Sequence, residues 1–448
     1  MTGGYNLRKL LLASGALIAT WGASDEAKAQ AFGISGQSSY FSGMANAGAA
    51  AGVDISSMYW NPAAAAAQPG LNTSSSYYGI FVRAPEHATG GSLTELGLPN
   101  SADVGQNGIA TMSYLNYQYT DRIYLGLALS VPYGLITKPD HEWAGSPINT
   151  STRIFSVNAE PVIAYKLTPE ITIGAGAQIQ YFQAKFNNDG LSVDGQPLIG
   201  KRHFEGDNVG GGGAVGILWD PMPGTTLGLG YRSQVDVSPS GDYDRAAGAF
   251  TGFPVATDGT ASLTLPDQVT ASFRQIATQQ ITLLGTVLWQ DWSQLKNVNT
   301  TSPASGCVGN ICETLNLNYR NSWYFSLGAE YAYDERWTLR AGGGYLISPV
   351  TDSNREISLP DANRVQLSIG ASYKWSDKIL LNASYEHLFI DNGSFCMSNP
   401  AITNTQHCAP GVPAGAIAIE GYAKPSADVV SVGLNYKLSG SAPLESYK

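Results

Sequence analysis

The stretch VQLSIGASYKW, residues 365–375, alternates between apolar side chains and small or polar ones. Successive side chains of a β-strand point to opposite faces, so this pattern predicts a strand with one apolar face and one polar face. The same period of two recurs in residues 171–181, 323–333 and 430–438. We therefore predict an all-β fold built from amphipathic strands.

Short and long connections alternate between these strands. Tight polar turns are predicted at residues 120–122, 168–170, 220–224, 277–280, 334–336 and 376–378. Long polar loops are predicted at residues 83–107, 133–151, 187–207, 234–260, 293–316, 349–362 and 391–423. These connections join about 14 strands, and an even number of antiparallel strands with short turns on one side is typical of a transmembrane β-barrel.

Composition supports a membrane barrel over a soluble protein. Only 13% of the residues are charged, about half of what a soluble domain carries. No later segment has the roughly 18 apolar residues in a row that a spanning helix needs. A soluble β-sandwich would also alternate, but aromatic residues cluster at the predicted strand ends, as in an interfacial girdle. They are Trp219, Trp289, Trp292, Trp323, Trp337, Trp375, Tyr373 and Tyr436.

Two classes of function are disfavoured by the sequence. The net charge of −10 argues against nucleic acid, which requires a basic surface. The five histidines are accompanied by no nucleophile elbow and by no metal-binding spacing, so we expect neither an enzyme nor a cofactor.

The first 31 residues are predicted to be a secretory signal peptide. Arg8 and Lys9 precede an apolar run at residues 10–19, and small residues at a cleavage site end at Ala29 or Ala31. This order is typical of a signal peptide and indicates export. We therefore divide the chain into a signal peptide (1–31), an N-terminal hatch (32–70), a barrel (71–438) and a C-terminal tail (439–448).

The hatch segment is almost free of charge, rich in Gly, Ala and Ser, and lacks strand alternation. We predict that it forms a plug inside the barrel. Near its end, Asn61, Pro62 and Ala63 allow two interpretations that can hold together. Asn61 can anchor the plug to the wall through backbone hydrogen bonds, or it can cap a short helix with Pro62 at the first position.

The four cysteines form two local pairs, Cys307 with Cys312 and Cys396 with Cys408. Neither pair has a second pair of ligands at zinc spacing. Oxidised loop disulfides, typical of compartments outside the cytosol, are the favoured interpretation.

Several short motifs resemble the FadL/TodX family of outer-membrane transporters, which carry long-chain fatty acids or aromatic hydrocarbons. They include Asn-Pro-Ala at 61–63, Val-Pro-Tyr-Gly-Leu at 131–135, Leu-Thr-Leu-Pro-Asp at 263–267, Asp-Trp-Ser at 291–293 and Trp-Thr-Leu-Arg-Ala-Gly at 337–342. The resemblance implies a 14-stranded barrel in the bacterial outer membrane, plugged by an N-terminal hatch. It also implies passive transport of a hydrophobic small molecule across the lipopolysaccharide layer, with lateral exit into the membrane.

The lateral exit is expected at Val131, Pro132, Tyr133 and Gly134, which match an inward-kinked strand of the family. Proline lacks an amide hydrogen and therefore breaks one ladder bond of a closed barrel. The alternative is that Pro132 simply ends the strand.

Charged residues on the polar faces of predicted strands are expected to form ion pairs, because an unpaired charge in a narrow lumen is costly. They are Arg232, Glu330, Arg340, Lys374 and Glu386.

The ligand head-group site departs from the resemblance. The basic residues expected there fall near Asn188 and Asn299, and Lys185 and Lys296 are the nearby candidates. The sequence therefore leaves open a fatty acid transporter, a channel for neutral alkane or aromatic hydrocarbons, and a general porin. The resemblance also implies contact with outer-membrane lipid, lipopolysaccharide and the barrel-assembly machinery. The usual aromatic terminus is missing, so Tyr436 or Leu438 is the expected assembly signal.

Overall fold

The computed structural model describes residues 32–193, 196–248, 254–303, 307, 309–399, 406–407 and 417–439. The predicted signal peptide and nearly all of the predicted tail lie outside these residues. In the part of the chain that is described, no helix has both the length and the apolar character required to cross a bilayer.

Fourteen antiparallel strands form a closed barrel. They are β1 (Leu71–Arg83), β2 (Gly108–Gln118), β3 (Ile123–Ser130, continued by Gly134–Thr137), β4 (Ser151–Lys166), β5 (Ile171–Asn188), β6 (Arg202–Met222), β7 (Thr225–Arg232, continued by Val235–Val237 and Ser240–Arg245), β8 (Val255–Leu265 and Gln268–Ile276), β9 (Ile281–Gln290 and Asn297–Thr301), β10 (Ile311–Asn316 and Ser322–Ala332), β11 (Trp337–Ile347), β12 (Arg364–Ser376), β13 (Ile379–Ile390) and β14 (Ser426–Ser439). Pairing of β1 with β14 closes the barrel. The predicted fold class is confirmed.

The barrel is apolar outside and polar inside. In β12, Val365, Leu367 and Ile369 are exposed on the outer surface, whereas Gln366 and Ser368 are buried in the lumen. A barrel that faced water on its outside would have the opposite arrangement. The alternation in the sequence therefore reports which face of each strand meets lipid.

Two of the predicted loops, 187–207 and 234–260, consist largely of strand. Here β5 and β6 extend beyond the membrane, and Ser240–Arg245 pairs with both β6 and β8. The sequence prediction missed these strands because both faces of an extramembrane strand can be polar, which removes the alternation.

Further strands stand on the long-loop side, which we take as extracellular. A five-stranded sheet consists of Pro85–Gly90, Ser101–Asp103, Gly393–Asn399, Gln406–His407 and Ile417–Ala423. A two-stranded sheet consists of Leu191–Val193 and Gln196–Ile199. We call the five-stranded sheet and the apolar residues packed under it the extracellular cap; its buried core includes Leu93, Trp143, Phe395, Met397 and Ile419.

Residues 32–70 lie inside the barrel, and nearly all of them are buried. They contain α1 (Ser39–Ser42) and two 3-10 helices, Ile55–Tyr59 and Pro62–Ala66. Two more 3-10 helices lie outside this segment, at Ser92–Leu96 and Trp292–Gln294. We call residues 32–70 the hatch, and the lumen around them the hatch chamber.

Candidate functional site

The hatch meets the wall at glycines. A Cβ added to Gly230 would lie 1.8 Å from the carbonyl oxygen of Trp60, and one added to Gly342 would lie 2.4 Å from that of Met44. A Cβ at Gly433 would lie 1.9 Å from Ser39 Oγ. These distances leave no room for a side chain, so the hatch backbone packs directly on the strands.

Asn61 joins the hatch to the wall and also caps a helix. Its Oδ1 accepts a hydrogen bond from the Ala63 amide at 3.1 Å, at the start of Pro62–Ala66. Its Nδ2 donates to the carbonyl of Ala50 at 2.8 Å and to that of Ile217 in β6 at 2.9 Å. The two interpretations of the Asn-Pro-Ala motif therefore occur in one geometry.

Two buried ion pairs hold the hatch against different parts of the wall, one between β4 and β7 and the other between β10 and β11. Arg232 pairs with Glu160, donates to the carbonyl of Tyr59 at 2.9 Å and stacks 4.5 Å from the Tyr59 ring centre. The second pair has the same construction, with a hatch tyrosine beneath the guanidinium. Arg340 Nε lies 2.8 Å from Glu330 Oε1, and its guanidinium stacks 3.8 Å from the ring of Tyr40.

The other two predicted lumen charges lie in different surroundings. Glu386 is buried and accepts a hydrogen bond from Gln366. Lys374 pairs with Asp377 at 3.0 Å beside the short turn, where the Asp377 side chain is 71% exposed. Lys374 thus belongs to the barrel rim.

The ladder between β2 and β3 is interrupted. The two strands pair from Gln118↔Tyr124 to Ser113↔Leu129 and no further. Gly108–Met112 therefore pair with β1 but have no β3 partner within the described residues. Above the interruption, a bridge joins Gly105 to Thr137. The wall thus has a bounded gap, which we call the lateral window.

β3 bends away from β2 at the lateral window. Its pairing with β4 jumps from Ser130↔Asn158 to Gly134↔Phe155, so three residues of β3 oppose two of β4. The backbone of Tyr133 is held by Ser156 Oγ, which accepts from its amide at 2.9 Å and donates to its carbonyl at 2.8 Å. Pro132 thus lies inside a bulge and does not end the strand pairing.

The start of the hatch fills the bend. The Ile34 amide donates to the carbonyl of Pro132, and the Gly134 amide donates to that of Phe32, both at 2.8 Å. Gln37 Nε2 donates to the carbonyl of Val131 at 2.9 Å. The bent part of β3 therefore forms its hydrogen bonds with the hatch in place of β2.

An aromatic cluster lies beside this bend. Phe32 contacts the rings of Trp292, Tyr133 and Phe182 with centroid distances of 5.0, 5.8 and 6.2 Å. Trp292 is fully buried, so its assignment to the interfacial girdle is wrong. The short helix Trp292–Gln294 turns this side chain into the lumen.

A cavity of about 120 Å³ opens at the extracellular end. Its lining residues Phe204 and Tyr243 belong to the same buried apolar core as the aromatic cluster. Apolar side chains contribute much of its wall, among them Ile148, Phe186, Phe204, Leu315 and Met397. Its charged residues are Arg202, Glu313 and Glu356. Arg202 Nη1 donates to Glu313 Oε1, and its backbone amide donates to Asn188 Oδ1 at 2.8 Å.

The two lysines that the sequence suggested for the ligand head group lie away from this cavity. Lys185 Nζ pairs with Glu205 at 2.7 Å, on the strand face opposite to Phe186 and Asn188. Lys296 is exposed. The cavity residues Arg202 and Glu313 were missed because both fall at the ends of predicted loops. Extending the alternation from Phe204 would have placed Arg202 on the lumen face.

Cys307 and Cys312 form a disulfide. The second predicted pair involves Cys408, which lies outside the described residues, so that pair stays a prediction.

Comparison with known proteins gives a consistent assignment. Residues 20–438 match the family model described as outer membrane protein transport protein (OMPP1/FadL/TodX). A long-chain fatty acid transport protein of Escherichia coli O6:H1 is 27% identical over 303 residues, covering 60% of this chain and 67% of that protein. Outer membrane protein P1 of Haemophilus influenzae is 26% identical over 297 residues, covering 60% of this chain and 63% of that protein.

Solved structures share the fold. A Pseudomonas aeruginosa FadL homologue superimposes with a TM-score of 0.80 at 20% identity, covering 91% of this chain and 100% of that one. The Ralstonia pickettii toluene transporter TbuX gives a TM-score of 0.66 at 17% identity, covering 90% of this chain and 99% of that one. The family model and the sequence relatives, together with the closed barrel, place the protein in the bacterial outer membrane. The chain belongs to the OMPP1/FadL/TodX family of outer-membrane transport proteins.

Proposed function

We propose that the protein conducts hydrophobic small molecules passively from the extracellular cavity, past the aromatic cluster, to the lateral window. The observation that carries this proposal is the window itself: β2 lacks a partner on β3 over Gly108–Met112, and the hatch fills the bend opposite. A hydrophobic molecule leaving there enters lipid directly. It does not have to cross water, which is the unfavourable step for an apolar solute.

Relatives and structural neighbours are named for two kinds of cargo, long-chain fatty acids and toluene. We propose the same broad class, a hydrophobic molecule, for this chain. The alternative of a general porin is disfavoured because the hatch packs against the lumen wall at backbone distance. A water-filled pore requires an open lumen. The proposed activity involves no chemical step.

Within this proposal, Asn61 anchors the hatch to β6 while Val131–Gly134 shape the exit. The ion pairs of Arg232 and Arg340 fix the hatch on the remaining sides. Movement of the hatch start, at Phe32–Ile34, would free the bend in β3 without disturbing these anchors.

Deletion of Pro132 tests the exit. Three residues of β3 oppose two of β4 at the bulge, so removing one restores a regular ladder and extends β3 toward β2. Uptake of a radiolabelled alkane into cells should fall to the level of cells without the protein. Pro161→Ala is the matched control, because Pro161 lies in β4 opposite Leu127 within the regular ladder.

Folding of the deletion variant is checked by its heat-modifiable migration and by surface labelling. A folded, surface-exposed variant with undiminished uptake would exclude lateral exit at this window. Loss of uptake in the Pro161→Ala control as well would show that the assay responds to general damage to β3 and β4.

A further inference from the structure

The charged residues that line the extracellular cavity compensate one another. Arg202 is the one arginine or lysine among the lining residues that the structure describes, and it already pairs with the carboxylate of Glu313. His203 also lines the cavity, and its Nδ1 lies 2.6 Å from Asn187 Oδ1. A second carboxylate, Glu356, also lines the cavity and accepts a hydrogen bond from Ser358 at 3.2 Å. An incoming carboxylate would therefore meet a guanidinium that is already neutralised, with a further acidic residue close by.

Other basic residues of the surrounding strands are engaged elsewhere or exposed. Arg245, two residues after the cavity residue Tyr243, donates to the carbonyl of Cys312 at 2.8 Å. Lys185 is paired with Glu205 on the other face of β5. Lys201, which precedes Arg202 in the sequence, is exposed and is not among the lining residues. None of these residues supplies the cavity with a cation that a ligand could use.

Two hydrogen-bond donors of the lining residues are nevertheless left without a partner, one on an amide and one on the guanidinium that Glu313 neutralises. Asn188 Nδ2 and Arg202 Nε are buried and have no hydrogen-bond partner among the described residues. Both belong to cavity-lining side chains. A buried donor without a partner is unfavourable, so a ligand oxygen that accepts from either group gains affinity.

From these contacts we infer that the cavity selects a neutral, oxygen-bearing hydrophobic molecule, such as a long-chain alcohol, ester or ketone, over a free fatty acid. The inference rests on the proposed function and names the substrate class of the same site. The apolar wall takes the hydrocarbon chain, and the Asn188–Arg202 end takes one neutral oxygen. Charge compensation by Glu313 is the specificity element.

A ligand series of constant chain length tests this selection. Hexadecanol, hexadecanoate and hexadecane are titrated against the purified full-length barrel. We expect hexadecanol to bind about tenfold more tightly than hexadecane, which corresponds to one net hydrogen bond. Hexadecanoate should bind more weakly than hexadecanol. These comparisons use the wild-type protein and do not depend on the folding of any variant.

Glu313→Gln sharpens the test because it leaves Arg202 without its carboxylate. The affinity for hexadecanoate should rise about tenfold or more, since a hydrogen bond to a charged group is stronger than a neutral one. Glu205→Gln is the matched control. It breaks the pair with Lys185 on the outer face of β6, the strand that carries Arg202. The affinity for hexadecanoate should not change.

The outcomes distinguish the proposed transport function from the inferred ligand selection. Tightest binding of hexadecanoate to the wild type, or equal binding of hexadecanol and hexadecane, would overturn the inference while leaving hydrophobic transport intact. If none of the three compounds binds, the proposed function fails together with the inference. An equal gain for Glu313→Gln and Glu205→Gln would exclude Glu313 as the specificity element.

Discussion

The hatch chamber and the extracellular cap bury charged groups in opposite ways. In the hatch chamber, Arg340 and Arg232 each have a carboxylate partner and a tyrosine ring. In the cap, Glu86 is fully buried, and neither of its carboxyl oxygens has a hydrogen-bond partner among the described residues. Burial raises the pKa of Glu86 well above its usual value, and the negative charge of Asp103 raises this pKa further.

This contrast shows how differently the parts of the molecule are anchored. Paired charges and glycine contacts fix the hatch to strands on several sides, whereas the side facing the lateral window is held by uncharged hydrogen bonds to a bent strand. The cap carries a group whose ionisation opposes its folded state. The comparison can be tested by changing one element at a time.

The largest effect is expected for Arg340→Met. This change leaves Glu330 without its cation in the lumen, and breaking a buried ion pair in this way costs about 3–5 kcal/mol. The folded barrel migrates differently from the unfolded chain in gel electrophoresis, and the temperature at which the folded form disappears should fall markedly. The control is Asp377→Asn, which breaks the exposed pair with Lys374 and should leave that temperature unchanged. Equal effects of the two variants would contradict the contrast between the hatch chamber and the barrel rim.

A smaller loss is expected for Gly230→Ala. The new methyl group would overlap the carbonyl of Trp60, and overpacking of this kind typically costs about 1–3 kcal/mol. Gly211→Ala is the control, because the nearest atom to a Cβ there lies at 3.8 Å. The measurement is the thermal unfolding of both variants. An unchanged unfolding temperature for Gly230→Ala would show that the hatch does not pack directly against β7.

Asn61→Ala should cost about 1–2 kcal/mol through loss of the helix cap and of the bond to β6. The effect should be local to the end of the hatch. Hydrogen exchange in residues 62–70 measures it, with exchange in β12 as the internal reference. Unchanged protection of residues 62–70 would show that the Asn61 contacts do not hold the hatch.

The smallest effect is a pH dependence confined to the cap. Because the folded-state pKa of Glu86 is raised, its contribution to stability is fully present below the ordinary value of 4.5 and is lost as the pH rises through the folded-state pKa. Exchange protection of Pro85–Gly90, corrected for intrinsic rates, should therefore fall as the pH rises. Glu86→Gln should remove this dependence, whereas Glu95→Gln, at an exposed position, should retain it.

Much of the wall could be predicted from the sequence, because lipid outside and polar groups inside impose the period of two. The register of a hairpin can be predicted from the sequence as well: the short turn at 334–336 places Glu330 opposite Arg340, and these residues pair. The partner of Arg232 could not be predicted in this way. Glu160 lies 72 residues earlier in the chain and meets Arg232 across the lumen only after the barrel has closed.

The site was predicted less completely for a similar reason. The motif at 131–134 indicated a bend, but its hydrogen-bond partners Phe32, Ile34 and Ser156 come from segments that no local pattern connects to it. Arg202 and Glu313 lie in extramembrane strands where the alternation weakens. The sequence pattern of a strand indicates which of its faces meets lipid and which meets the lumen. Contacts between distant strands across the lumen form only once the barrel has closed, so no local pattern predicts them.

Photo-crosslinking of a diazirine-labelled long-chain alcohol to the purified barrel in lipid bilayers tests the central claim most directly. Mass spectrometry of the labelled peptides gives the route. We predict labels at the extracellular cavity and at the lateral window, on Gly108–Met112 and on residues 131–134. Labels at the cavity and at the short turns, such as residues 120–122 and 168–170, with none at the window, would show passage through the barrel to its far mouth and would contradict lateral exit.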